Sequence, residues 1–198
     1  MTLTLQSVDH GIFTIADVFT PAECSDSIER SESIGFDAAS VRTERGPKIM
    51  TNIRNNDRVN ITDPELAVLM WNRVVDLLPE IDGQHPVSVD SRLRFYRYLP
   101  GQQFRRHKDG HATDDLGNDS QLSYLIYLND DFEGGATAFR DYVGSGNDRR
   151  KIEHVINPTT GSALLFRHAL WHEGVLVQSG RKYVLRSDVF YSSSHTGG

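Results

Sequence analysis

Eight histidines are spread along the 198 residues, at positions 10, 85, 107, 111, 154, 168, 172 and 195. One of them, in His107-Lys108-Asp109, opens a His-x-Asp/Glu triplet. With 27 acidic residues in the chain, about one such triplet arises by chance, so alone it means little. In an extended segment, residues two apart point to the same side, so His107 and Asp109 can reach one ion together. A later stretch carries His168 and His172, four apart. On a regular strand those two share a face, so alternation does not choose between them. His172 stands ten residues before Lys182. Two histidines and a carboxylate on one face of a metal leave three positions open. That suits a non-haem Fe(II) that must also take a chelating co-substrate and oxygen.

Elements must bring these residues together. Thr20-Pro21-Ala22-Glu23 has a capping hydroxyl, a proline at the first helical position and a glutamate at N3. This capping box predicts a helix to about Ser33. Thr62-Asp63-Pro64-Glu65 repeats the signal, and Leu66, Leu69, Met70, Val74 and Leu77 follow at helical spacing until Pro79. From about residue 86 the pattern turns to short strands: Val87–Val89, Leu93–Leu99, Leu122–Leu128, Ala136–Phe139, His154–Ile156, Ser162–Phe166, Trp171–Val177 and Tyr183–Tyr191. Glycine-containing turns punctuate them. Many short strands after helices predict a mainly β fold with flanking helices (α+β), a two-sheet sandwich or jelly roll with the helices packed on one sheet. Asp141–Lys151 reads as a mobile loop, and residues 192–198 as a polar tail.

Composition narrows the function. The hydrophobic fraction of 38% supports a full core, and the charge of −6 argues against nucleic acid as the main partner. No apolar run reaches the roughly 18–20 residues of a membrane helix, and the N-terminus does not read as a signal peptide. Cys24 is the one cysteine, so no disulfide within the chain and no cysteine-based zinc site is expected, and a reducing, cytoplasmic setting fits.

The order of several short motifs carries more than any one of them. Tyr98-Leu99-Pro100-Gly101 precedes His107-Lys108-Asp109. Tyr127-Leu128-Asn129 and Glu133-Gly134-Gly135-Ala136-Thr137-Ala138-Phe139 come next. Gly161-Ser162-Ala163-Leu164-Leu165-Phe166 and His172 with its basic partner complete the set. From Asn52 to Tyr191 the chain resembles the Fe(II)- and 2-oxoglutarate-dependent dioxygenases of the prolyl 4-hydroxylase-like group. The resemblance implies a double-stranded β-helix, with a helical buttress at about 20–80 and a jelly-roll core at about 86–191 in a single domain, 1–191. His107, Asp109 and His172 would be the catalytic iron ligands. Lys182 would pair with the distal carboxylate of 2-oxoglutarate, and Tyr98, Tyr127 and Thr137 would contact or border it. Fe(II), 2-oxoglutarate and O2 are the implied cofactor and co-substrates, with ascorbate as an optional reductant. The implied reaction hydroxylates a C–H bond, with release of succinate and CO2.

Strand arithmetic tests the basic residue separately. Arg181 and Lys182 are adjacent, so only one points inward. The Lys182 face carries Val184, Arg186, Asp188 and Phe190; the other carries Tyr183, Leu185, Ser187, Val189 and Tyr191 and packs better. The first face needs a polar cavity for its charges, which favours Lys182 over Arg181. Arg94, Tyr96 and Tyr98 share a face of the earlier strand. Arg94, Tyr96, Arg186 and Asp188 are therefore candidate substrate-lining residues. Many relatives have an aromatic residue where Asp188 stands. Two substrates compete: a prolyl residue in a peptide or protein, as the resemblance implies, and a free amino acid or small polar metabolite, favoured by the charged wall. Other classes are a cupin-like isomerase or cysteamine-type dioxygenase, which leave the basic residue unexplained, and a non-catalytic jelly-roll binding module. Arg54-Asn55-Asn56-Asp57-Arg58 reads as a solvated loop or a lid, and Trp71 as helix packing. Nothing in the sequence speaks to the oligomeric state.

Overall fold

The computed structural model describes residues 2–38, 41–43, 46–48 and 54–192. His195, Asn52 and the tail beyond residue 192 lie outside them. The first half contains β1 (Leu5–Asp9), β2 (Ile12–Ile15), α1 (Pro21–Ile34), β3 (Asp37–Ala38), β4 (Val41–Thr43), β5 (Gly46–Lys48), β6 (Asp57–Thr62), α2 (Pro64–Val74), β7 (Pro86–Val89) and β8 (Arg92–Tyr98). The second half adds β9 (Phe104–His107), β10 (Asp119–Tyr127), β11 (Glu133–Gly134), β12 (Thr137–Val143), β13 (Arg150–Ile156), β14 (Ala163–Arg167), β15 (His172–Gly174), β16 (Val177–Ser179) and β17 (Lys182–Tyr191).

Both helices start where the sequence marks them. Thr20 accepts from the Glu23 N–H, and Glu23 returns a bond to the Thr20 N–H. In α2 the cap is Asp63 rather than Thr62, accepting from the Leu66 N–H at 2.9 Å. The buried residues of α2 are Ala67, Met70 and Val74. Leu69, assigned to the apolar stripe from its spacing, is 38% exposed.

The large sheet runs β1-β2-β14-β10-β17-β8-β6-β3, with β7 also paired to β17. The smaller one runs β13-β12-β15-β9. Alternation divides every central strand of the large sheet between two cores. Leu93 and Phe95, Leu122 and Tyr124, Leu165, and Leu185 and Val189 join Cys24 of α1 and Met70 and Val74 of α2 in one cluster. Tyr96, Tyr98, Tyr127, Leu164, Phe166 and Val184 face the other way, against Phe139 and Ile152 of the smaller sheet. This is the jelly roll that the sequence predicts, and residues of α1 and α2 belong to the first cluster.

Three expectations are corrected. Asp141–Lys151 is a loop only at 144–149: β12 runs to Val143 and β13 starts at Arg150, paired Val143 to Arg150, so its two ends are the arms of a hairpin. Trp171–Val177 is two strands, because the chain turns at Val175 to bond the Ala136 carbonyl. Arg54–Arg58 is neither solvated loop nor lid: Arg54 and Asn56 are buried, and Asn55 exchanges bonds with the Gln103 backbone. Among the described residues no helix is long and apolar enough to cross a membrane.

Candidate metal centre and adjoining cavity

β9 and β15 are neighbours, and His107 sits directly opposite His172. Their ring centroids are 4.2 Å apart. Asp109, just past the end of β9, points back between them. His107 Nε2 is 3.6 Å from Asp109 Oδ1, and His172 Nε2 is 3.6 Å from Asp109 Oδ2. The three ligand atoms all lie within 4.8 Å of one another.

Each imidazole is oriented through its second nitrogen. His107 Nδ1 bonds the Arg105 carbonyl at 2.8 Å, and His172 Nδ1 bonds the Leu170 carbonyl at 3.0 Å. A carbonyl accepts only, so Nδ1 carries the proton and Nε2 keeps a free lone pair for a metal. Burial lowers the His172 imidazole to about 4, which keeps it neutral at ordinary pH.

Asp109 is held on both oxygens. Arg186 Nη1 donates to Oδ1 at 2.8 Å, and Ser123 Oγ donates to Oδ2 at 2.5 Å. Burial alone would raise this carboxyl, but Arg186, with the two histidines, holds it well below the usual carboxylate range. Arg186 in turn donates to Asp188 at 3.1 Å, and Arg94 donates to the other Asp188 oxygen at 3.0 Å. A chain of alternating charges, Arg94-Asp188-Arg186-Asp109, thus ends at the ligand set.

His168, the rival ligand, is placed elsewhere. Its Nδ1 meets Ser123 Oγ at 2.9 Å and its Nε2 meets Ser120 Oγ at 3.0 Å. Since Ser123 gives its proton to Asp109, His168 Nδ1 donates to Ser123 and Nε2 accepts from Ser120. His168 supports the carboxylate ligand from behind, and its carbonyl accepts the Asp109 N–H.

A small cavity of about 40 Å³ opens beside the triad, lined among others by Tyr96, Tyr98, Phe104, Thr137, Lys182 and Arg186. Lys182 is 3% exposed and donates to the Gly135 carbonyl at 2.6 Å. Its ammonium lies over the rings of Tyr98 and Tyr127, at 5.2 and 5.4 Å. Burial pulls it down to about 7. Arg181, its sequence rival, is exposed. Gly135 has φ +64°, and a side chain there would press on Lys182 and Phe132, so this position requires glycine. Tyr127 is engaged beneath Lys182, its hydroxyl 2.7 Å from Thr137 Oγ1.

The donor set fits a borderline divalent metal such as Fe(II): two imidazoles and one carboxylate, with room on the cavity side. The buried ammonium without a carboxylate fits an acidic ligand. Of the four substrate candidates, Tyr96 and Arg186 line the cavity, while Arg94 and Asp188 lie behind it and are paired. Sequence reasoning missed Ser123 and Arg54. Ser123 was recoverable, since it shares the inward parity of Leu125 and Tyr127. Arg54 gave no signal beyond the polar run around it.

Comparison with known proteins agrees with this geometry. Residues 93–187 match the family model of the 2OG-Fe(II) oxygenase superfamily. Prolyl 4-hydroxylase 1 of Arabidopsis thaliana is 28% identical over 178 residues, covering 85% of this chain; the chain spans 60% of that relative's length. A Pseudomonas putida prolyl-4-hydroxylase structure superposes with TM-score 0.64 at 19% identity, covering 91% of this chain and 93% of that one. A Trichoplax adhaerens prolyl hydroxylase, solved with a hypoxia-inducible-factor degradation-domain peptide, gives 0.64 at 18% identity, covering 91% and 83%. At these identities the structural matches speak for the shared fold.

Proposed function

We propose that this protein is a member of the 2OG-Fe(II) oxygenase superfamily, whose family model matches residues 93–187, and that it hydroxylates a prolyl residue in a peptide or protein. One observation carries the reading. A His107/Asp109/His172 cluster stands at one side of a cavity whose other side holds a buried lysine with no carboxylate partner among the described residues. Fe(II) bound to these three side chains supplies the oxygen chemistry, in which 2-oxoglutarate is converted to succinate and CO2 and a substrate C–H bond is hydroxylated.

This chain's own residues do the rest. The Nδ1 bonds of His107 and His172 fix which nitrogen faces the metal. Arg186 and Ser123 keep Asp109 ionised and aimed. Lys182 holds the far carboxylate of 2-oxoglutarate by a charge-assisted hydrogen bond, and Tyr98, Tyr127 and Thr137 wall that end and exclude water. Tyr96 and Arg186 face the substrate; Arg94 and Asp188 fix Arg186. We take residues 1–191 as one dioxygenase domain. Ascorbate is an optional reductant of the iron, and the free thiol of Cys24 suits a reducing, cytoplasmic setting.

The prolyl substrate is drawn from the relatives' activities. The cationic side chains around Tyr96 favour a second reading, a free amino acid or small polar metabolite hydroxylated by the same centre. The test is succinate release with prolyl peptides and free amino acids side by side. His107→Ala and His172→Ala abolish substrate-dependent release and stoichiometric Fe(II) binding. Undiminished release by both variants refutes the reading.

A further inference from the structure

Two buried cations border the cavity without a carboxylate partner among the described residues. Lys182 is one. The other is Arg54, 5% exposed. Its Nε donates to Asn56 Oδ1 at 2.7 Å, but its buried Nη2 has no hydrogen-bond partner. The guanidinium lies 4.4 Å from the centre of the Tyr96 ring and 4.5 Å from that of Phe104. Both rings line the cavity, and Phe104 stacks on His107 with centroids 3.4 Å apart. Arg54 is held firmly, since it bridges to the Phe104 backbone and the next residue, Asn55, bonds Gln103 and Gly101.

The Tyr96 hydroxyl is also buried and unpartnered. Burial alone would raise that phenol, but Arg54, Arg186 and Arg94 outweigh it and hold it below its ordinary value. Arg94 and Arg186 are offset by Asp188 and Asp109. Among the described residues Arg54 has no such partner.

A hidden cation without an anion is costly, and a ligand that brings the anion recovers the cost. One carboxylate of 2-oxoglutarate accounts for Lys182, and its keto-acid end is committed to the metal. Nothing in that co-substrate remains for Arg54. We propose that Arg54 and the Tyr96 hydroxyl form a second anion site, on the substrate side of the cavity, and that the substrate carries a carboxylate near the carbon to be hydroxylated. This rests on the reading of the centre as a 2-oxoglutarate-dependent dioxygenase. The carboxylate comes either from a free amino acid or from an acidic side chain next to a prolyl residue, and a peptide without charge at that point is a poor ligand.

The test needs no turnover. The protein is loaded with redox-inert Mn(II) and saturating 2-oxoglutarate, and its melting temperature is followed on adding four probes. These are L-proline, L-prolinamide, N-acetyl-prolyl-aspartyl amide and N-acetyl-prolyl-asparaginyl amide. At least one carboxylate probe raises the melting temperature by several degrees where its uncharged counterpart does nothing. Arg54→Gln loses the rise, Arg54→Lys keeps part of it and Tyr96→Phe weakens it. Should Arg54→Gln fail to fold, the other two variants carry the comparison. A response to L-proline alone identifies an amino-acid substrate, and one to the aspartyl probe alone an acidic peptide. Carboxylate probes that behave like their amides, or a folded Arg54→Gln that responds like the parent, overturn the proposal. Failure of the underlying reading looks different: 2-oxoglutarate itself then gives no shift before any probe is added, and the second site falls with it.

Discussion

The two faces of β17 are equally hidden from water and differ in every other respect. Leu185, Val189 and Tyr191 face the helices and need nothing but apolar neighbours. Lys182, Arg186 and Asp188 face the cavity side, and each needs a partner of opposite charge or a ligand. Among the described residues Arg186 has two carboxylates, Asp188 has two guanidiniums, and Lys182 has only the Gly135 carbonyl. Burial therefore does not separate packing from function in this strand; what each buried side chain is given as a partner does.

The contrast can be broken most severely at Arg186. Arg186→Met leaves Asp109 and Asp188 facing each other without the charge that reconciles them. It costs about 3–5 kcal/mol of stability, read from denaturant unfolding, and weakens metal binding as well. Leu185→Ala on the opposite face costs about 3 kcal/mol through the cavity it leaves. Its 2-oxoglutarate affinity, measured calorimetrically under conditions where it is folded, stays at the parent value. A loss of affinity there would show that the two faces are not independent.

Lys182→Met sharpens the comparison. It removes a buried charge that no described residue neutralises, so the ligand-free protein melts no lower than the parent, while 2-oxoglutarate affinity drops about 100-fold, roughly 2.7 kcal/mol. A lower melting temperature with unchanged affinity would return Lys182 to a structural role.

The same residue sets a pH dependence. Its ammonium sits at about 7 when folded, against 10.5 for the free side chain. Between those values the unfolded chain binds the extra proton, so this group makes stability rise with pH across that window. A dicarboxylate favours the charged form. Its affinity therefore falls as pH rises above about 7, by up to about tenfold per unit. Binding near neutral pH takes up a proton, which titrations in buffers of different ionisation enthalpy detect. The smallest effect is expected far from the site: Thr20→Ala removes half of the α1 capping box, costs about 1 kcal/mol and leaves metal stoichiometry unchanged.

Much of this arrangement is legible in the sequence, and the gaps have physical causes. The parity of β17 and β8 sorts cavity residues from core residues because both strands are regular and buried on two sides. The capping box of α1 and the Asp63-Pro64 start of α2 place both helix starts. β9 escapes, since three of its four residues, Arg105, Arg106 and His107, are polar, and β15 is its one neighbouring strand, with an isolated bridge to Arg54 besides. The choice between His168 and His172 is invisible to alternation. It is settled by which carbonyls and hydroxyls surround each ring. Arg54 escapes because its burial is made by Tyr96 and Phe104, rings supplied from far along the chain.

Cys24 lies in the helix-covered cluster, across the large sheet from the metal ligands. Burial pushes its thiol up to about 11. The proposed oxygenase thus shelters its one cysteine thiol behind a layer of β-structure. The folded protein should be inert to alkylating reagents, and the rate at which label appears on Cys24 then counts how often the helical side of the molecule opens.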